Sequence, residues 1–188
     1  MRHKYETRAI VLARAPAGEQ TAQVTLLTHE LGLVRARAQS LRRSGARLAA
    51  ALTTYAESDV VLVRGKGEWR VAGAVLAENW FRRLPPPSRE RAARTNGLLL
   101  RLVAGEARDT ELYPVVTGYL RALATLPEDA QEGAEALAAL YLLRALGLDA
   151  GALPGASGDF SPELVGQVAE MRAAYVARVN EGIGASGL

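Results

Sequence analysis

Several absences bound what this chain of 188 residues can do. It has no cysteine, which excludes disulfides, thiolate zinc sites and cysteine nucleophiles and fits a cytosolic setting. It has only two histidines, His3 and His29, so an imidazole-based metal or acid–base site lacks its usual parts. Aromatic residues make up 5% of the chain, leaving few rings to stack on bases and leaving the core to Leu, Val and Ala. No apolar run approaches the 18 or so residues that span a bilayer, and the start, Met1-Arg2-His3-Lys4, does not lead into a signal-peptide core. Glycine motifs for nucleotide phosphates and the G-x-S-x-G elbow of serine hydrolases are missing as well. No catalytic set remains, so a non-enzymatic protein without a cofactor is expected.

What is present is an apolar fraction of 49%, enough for a core, and an uneven distribution of charge. The net charge is +3, but residues 1–94 hold 17 Lys and Arg against 8 Asp and Glu, whereas residues 95–188 hold 6 against 12. A basic first half attracts polyanions through its field and through counterion release.

The basic excess has a focus. In Val34-Arg35-Ala36-Arg37-Ala38-Gln39, small apolar residues alternate with polar ones, and strand geometry sends the two sets to opposite faces. Arg42, Arg43 and Arg47 follow around Ser44-Gly45. Guanidinium forks suit phosphate oxygens, so Arg35, Arg37, Arg42, Arg43 and Arg47 are the first candidates for a nucleic-acid track. Arg2, Lys4, Arg64, Lys66 and Arg70 stand behind them. A solvated basic edge strand is the alternative reading of the same stretch.

Strand patterns recur at 5–14, 19–28, 33–39, 53–64 and 68–76, separated by Pro16-Ala17-Gly18, His29-Glu30-Leu31-Gly32 and Gly65-Lys66-Gly67. An alanine-rich helix at 47–52 interrupts them after the third. Five short strands with that interruption predict an α+β chain opening with a five-stranded β-barrel of the oligonucleotide/oligosaccharide-binding (OB) type. Pro85-Pro86-Pro87 reads as a stiff spacer, placing a barrel domain at 1–82 and a helical domain at 83–188. The helices expected there are one capped by Ser88, one capped by Asp109 or Thr110, one over 130–146, and one opening at Ser161-Pro162 and running through Val179. Residues 147–160, rich in glycine, read as a loop.

Other features admit two readings each. Glu57 and Asp59 share a strand face and can hold a metal, as in a nuclease, or pair with arginines. Tyr5, Tyr55, Trp69 and Trp80 can stack on bases or pack internally.

Thr7-Arg8-Ala9-Ile10-Val11-Leu12, Gly18-Glu19, Val24-Thr25-Leu26-Leu27-Thr28, Gly32 and Ala38-Gln39-Ser40-Leu41-Arg42-Arg43 occur in the order found at the start of the bacterial DNA repair protein RecO family, which this chain resembles. Ala51-Leu52-Thr53-Thr54-Tyr55 is similar to the family's approach to its fourth strand. The resemblance implies an OB barrel followed by helices. It also implies a recombination mediator that binds single- and double-stranded DNA, anneals complementary strands and assists loading of the recombinase RecA. The implied partners are RecR and the C-terminal tail of single-stranded DNA-binding protein, and the implied location is cytoplasmic, at the nucleoid. Many members carry a four-cysteine zinc module after a segment similar to Tyr141-Leu142-Leu143-Arg144-Ala145-Leu146-Gly147. Here the short loop 147–160 occupies that place without cysteine, so a short form lacking the module is expected. A protein adaptor whose basic barrel binds an acidic partner is the alternative.

Overall fold

A computed structural model describes residues 3–19, 21–39, 45–103 and 105–187, with side chains of Gly45 and Ala46 left aside. The chain divides into two compact units, Met1–Arg83 with Gly105–Thr110, and Leu84–Ala104 with Glu111–Leu188.

The first unit is a closed barrel of β1 (Lys4–Pro16), β2 (Thr21–Thr28), β3 (Gly32–Gln39), β4 (Ala56–Arg64) and β5 (Trp69–Asn79). The strands neighbour one another in the order β1-β2-β3-β5-β4, and β4 returns to β1. All pairs are antiparallel except β3 with β5. This is the OB arrangement. Alternation explains it: Val24, Leu26, Val34, Ala36, Ala38, Val60 and Leu62 turn inward and are buried, while Arg35 and Gln39 stay exposed. The interior of a small barrel is filled by side chains alone, so alanine and valine suit most strands and a single large ring, Trp69, completes the cluster.

Closure depends on local irregularities. Register shifts interrupt the β1–β2 ladder between Val11 and Ala13 and the β4–β5 ladder at Glu57/Ser58 and Val61/Leu62, where bulges sharpen the bend of a small barrel. Between β3 and β4 lies α1 (Gly45–Ala51), and Ser58 Oγ donates to the carbonyl of Ala51 at 2.8 Å, satisfying the end of the helix. Tyr55 then adopts a left-handed conformation, φ 64°. Its N–H donates to Val11 O at 2.8 Å and its carbonyl accepts from Trp80 N at 3.1 Å. A short helix, α2 (Trp80–Arg83), follows β5. Residues 105–110 then return to this unit, with Leu33 and Ala107 exchanging backbone hydrogen bonds of 2.7 and 3.2 Å.

The second unit is helical: α3 (Pro86–Leu102), α4 (Leu112–Thr125), α5 (Gln131–Ala145), α6 (Pro162–Glu170) and α7 (Arg172–Ala185), with a 3₁₀ turn at Glu128–Ala130. Helix α5 is apolar nearly all round and central, with Leu137, Leu140, Tyr141, Leu142 and Leu143 fully buried. Several local expectations change. The three prolines start α3 rather than form a spacer, because Pro85 is the N-cap and Pro86 and Pro87 fill the first turn, where a missing N–H costs nothing. Ser88 is therefore not a cap; it is buried and donates to Gln131 Oε1 at 2.8 Å. Glu111, not Asp109 or Thr110, precedes α4. The final helix is two helices broken at Met171 (φ −103°, ψ 17°), whose side chain is exposed. The break lets Val179 join Leu140 and Leu143 in one cluster.

Candidate nucleic-acid interface

Cross-strand register assembles the basic face. Lys4 on β1 is opposite Val63 on β4, Val63 is opposite Arg70 on β5, and Arg70 is opposite Arg37 on β3, which is opposite Gln23 on β2. Directly paired residues share a face, so the side chains of one continuous row cross the outside of the barrel. Lys4, Arg37 and Arg70, with Gln39, line a single depression of about 320 Å³ whose apolar surface comes from Val63, Val71 and Ala72. Three cations from three strands thus meet over a shallow apolar bed.

The remaining candidates are placed differently. Arg35 is two residues before Arg37 on the same strand face and is exposed. Lys66 is at the tip of the β4–β5 hairpin, which Gly65 N closes on Glu68 O at 2.9 Å. Arg47 is exposed on α1. Arg64 is drawn away from the row: its guanidinium lies 4.7 Å over the ring of Trp69, and Nη1 donates to Glu106 Oε2 at 3.2 Å. Arg2, Arg42 and Arg43 lie outside the described residues.

Counter-charges decide which cations are available. Arg8 is held by Asp59, with Nε donating to Oδ1 at 2.6 Å and Nη2 to Oδ2 at 3.1 Å. Glu57 Oε1 lies 3.8 Å from Arg8 Nη1, and Glu57 Oε2 accepts from Trp80 Nε1 at 2.9 Å. The paired carboxylates are thus committed to an arginine and an indole. Among the described residues no group of three or more His, Asp or Glu side chains is placed to hold a metal. Arg37 has one acidic neighbour, Glu68, whose Oε2 stands 3.8 Å from Nε, too far for a hydrogen bond. That Nε is sheltered from solvent and finds no acceptor.

The rings are similarly engaged. Trp69 is buried, with its ring edge-on to Tyr5 at a centroid distance of 5.2 Å. Trp80 and Tyr55 are buried too. Tyr5 is 38% exposed, but it opens onto a second, larger cavity of about 450 Å³ at which Glu30 and Glu106 balance Arg64 and Arg108. Charge therefore favours the smaller depression for a polyanion.

In the helical unit several charged groups tie elements together. Glu135 accepts from Arg91 Nη1 at 2.9 Å and from Arg94 Nε at 2.7 Å, and the latter contact raises the Arg94 pKa. Arg178 holds Asp149, with Nε to Oδ1 at 2.5 Å, and keeps that carboxyl below its usual range. Burial pushes the Tyr141 phenol up to about 12; its hydroxyl donates to the carbonyls of Pro154 and Asp159. These contacts pin residues 149–159 to α5 and α7.

A five-stranded OB barrel with a cationic row on its outer face defines the class: a barrel protein with a surface suited to polyanions. Residues 1–79 match the family described as "Recombination protein O N terminal". The chain is also 31% identical over 145 residues to the DNA repair protein RecO of Gloeobacter violaceus, covering 76% of this chain and 55% of that one. It is 36% identical over 79 residues to the DNA repair protein RecO of Dehalococcoides mccartyi, covering 42% of this chain and 31% of that one. Residues 1–79 are therefore an N-terminal domain of the RecO family, and the similarity to the first relative continues beyond it. The chain spans about half the length of the first of these relatives and about a third of the second. Among the described residues no helix is long and apolar enough to cross a membrane.

Gln39 shares the depression, as its place on the polar strand face with Arg35 and Arg37 signals. One contributor to the site escapes sequence reasoning. Glu68 is a turn residue whose approach to Arg37 depends on pairing between β3 and β5, and no local pattern announces it.

Proposed function

We propose that this chain is a non-catalytic DNA-binding protein of repair and recombination that holds strands by their phosphates along the barrel's basic row. The observation that carries this reading is the convergence of Lys4, Arg37 and Arg70 from three strands on one depression. Each cation that replaces condensed counterions adds a salt-dependent increment to binding, independent of sequence. A chain that neutralises the phosphates of two strands lowers the repulsion between them, which is the physical requirement for annealing. The names of the relatives support a role in DNA repair. The family of the N-terminal domain further suggests RecR and the acidic tail of single-stranded DNA-binding protein as partners, assistance to recombinase loading, and action at the nucleoid.

The apolar bed of Val63, Val71 and Ala72 also suits an acidic peptide, the alternative occupant. Fluorescence anisotropy of a labelled single-stranded oligonucleotide across a salt series separates the two. The wild type should weaken with salt. A Lys4→Ala, Arg37→Ala, Arg70→Ala variant should bind more weakly, with a log–log slope shallower by about 2. Identical curves would move the DNA site off this row, and no binding at low salt would leave the acidic partner.

A further inference from the structure

We infer that Glu68 is a built-in competitor of the nucleic-acid backbone, an internal carboxylate that occupies Arg37 until a phosphate displaces it; this rests on the DNA-binding reading above. Glu68 lies just beyond the β4–β5 hairpin turn, one residue before β5. Its carboxylate stands 3.8 Å from Arg37 Nε, close enough to form an ion pair with the guanidinium and too far to accept a hydrogen bond from it. Both side chains are substantially exposed, 41% for Arg37 and 52% for Glu68, so the pair is weak and readily exchanged.

Arg37 itself is incomplete without a ligand. Its Nε is sheltered from water yet has no acceptor, although a buried N–H ordinarily has one. An anionic oxygen entering the depression from the side of Lys4 and Arg70 would supply that acceptor with a charge-assisted bond, which Glu68 at its present distance does not. The two anions differ in what else they meet. A phosphate in the depression also meets Lys4 and Arg70, whereas Glu68 has Arg37 as its ion-pair partner. Displacement is therefore favoured only by a ligand that engages the whole row. A lone carboxylate from a partner gains little over the one already there. Glu68 thereby sets a threshold against isolated anions and acts as a positioning residue through Arg37.

The test is oligonucleotide anisotropy over a salt series with the full chain, comparing wild type, Glu68→Gln, Arg37→Ala and the double variant. Glu128→Gln serves as control, since it makes the same change in net charge at an exposed residue of the helical unit. Glu68→Gln should tighten binding about threefold, the range expected for release of an exposed ion pair. It should also steepen the salt dependence, while Glu128→Gln should do neither. In the Arg37→Ala background Glu68→Gln should have no further effect, a non-additivity that a general electrostatic or folding effect would not produce. Tightening that matches the Glu128→Gln control, or that persists without Arg37, overturns the inference while leaving the DNA reading in place. Absence of wild-type binding at low salt overturns the DNA reading itself and the inference with it.

Discussion

Gly32 is where a single missing carbon matters most. It is the first residue of the basic strand, with φ +70°, and a Cβ added there would come 2.1 Å from Ala107 O and 2.7 Å from Asp109 N. Both neighbours are backbone and cannot rotate away. Gly32→Ala should therefore lower the stability of the barrel unit by more than about 2 kcal/mol, through left-handed strain and loss of the Leu33–Ala107 bridge. Urea unfolding followed by far-ultraviolet circular dichroism would measure it; an unchanged midpoint would refute the contact. Asp149 makes the corresponding point for charge. Its folded pKa is depressed by Arg178, so its contribution is present above the ordinary carboxylate value and is lost as pH falls through the depressed one. Asp149→Asn should cost about 1–2 kcal/mol at neutral pH, with the deficit shrinking below about pH 4. A deficit that stays constant across acid pH would show that the charge is not what holds residues 149–152 to α7.

At the scale of elements, two glycines inside helices should respond to the same substitution with opposite signs. A Cβ at Gly133 of α5 would lie 2.7 Å from Val165 O on α6, whereas one at Gly97 of α3 meets nothing within 4 Å. Alanine improves helix propensity by about 0.5–1 kcal/mol at either place, but overpacking a tight contact costs about 1–3 kcal/mol. Gly97→Ala should raise the melting temperature and Gly133→Ala should lower it; equal shifts would mean that α5 and α6 are not in close contact. The elements legible in the sequence are those with local periodicity. Val34 to Gln39 alternates cleanly because β3 has one face in the barrel, and α5 is apparent from its Leu and Ala content. Residues 105–110 carry no strand pattern, and their partner Leu33 is far away in sequence, so their return to the barrel is invisible locally. Nothing at Met171 marks a break, since neither Pro nor Gly is there and packing of Val179 on α5 decides it. The glycine-rich loop reads as open chain, yet Tyr141, Phe160 and Arg178 fasten it through contacts that only the folded unit creates. The candidate site follows the same rule: Arg35 and Arg37 are legible as a face, while their union with Lys4 and Arg70 is a matter of register.

For the whole molecule, charge and ring placement together dictate how a strand is read. The basic excess in the first half attracts any polyanion, and the row of Lys4, Arg37 and Arg70 offers donors to phosphate oxygens. The rings that would distinguish bases are occupied elsewhere: Trp69 against Tyr5 and Arg64, Trp80 on Glu57, and Tyr55 at a buried backbone corner. Base stacking contributes about 1–3 kcal/mol per base where it occurs, enough to separate purine from pyrimidine strands severalfold. Binding confined to the phosphates has no such term. Oligo-dT and oligo-dA of equal length should therefore bind with affinities within about twofold of each other at every salt concentration. The intrinsic fluorescence of Trp69 and Trp80 should not change on saturation, because neither indole borders the row. Quenching by one homopolymer, together with a clear preference for it, would place a base on a ring. That outcome would move the site from the outer row to the cavity where Tyr5, Trp69 and Arg64 meet, and would recast Arg64 as the group that a base displaces.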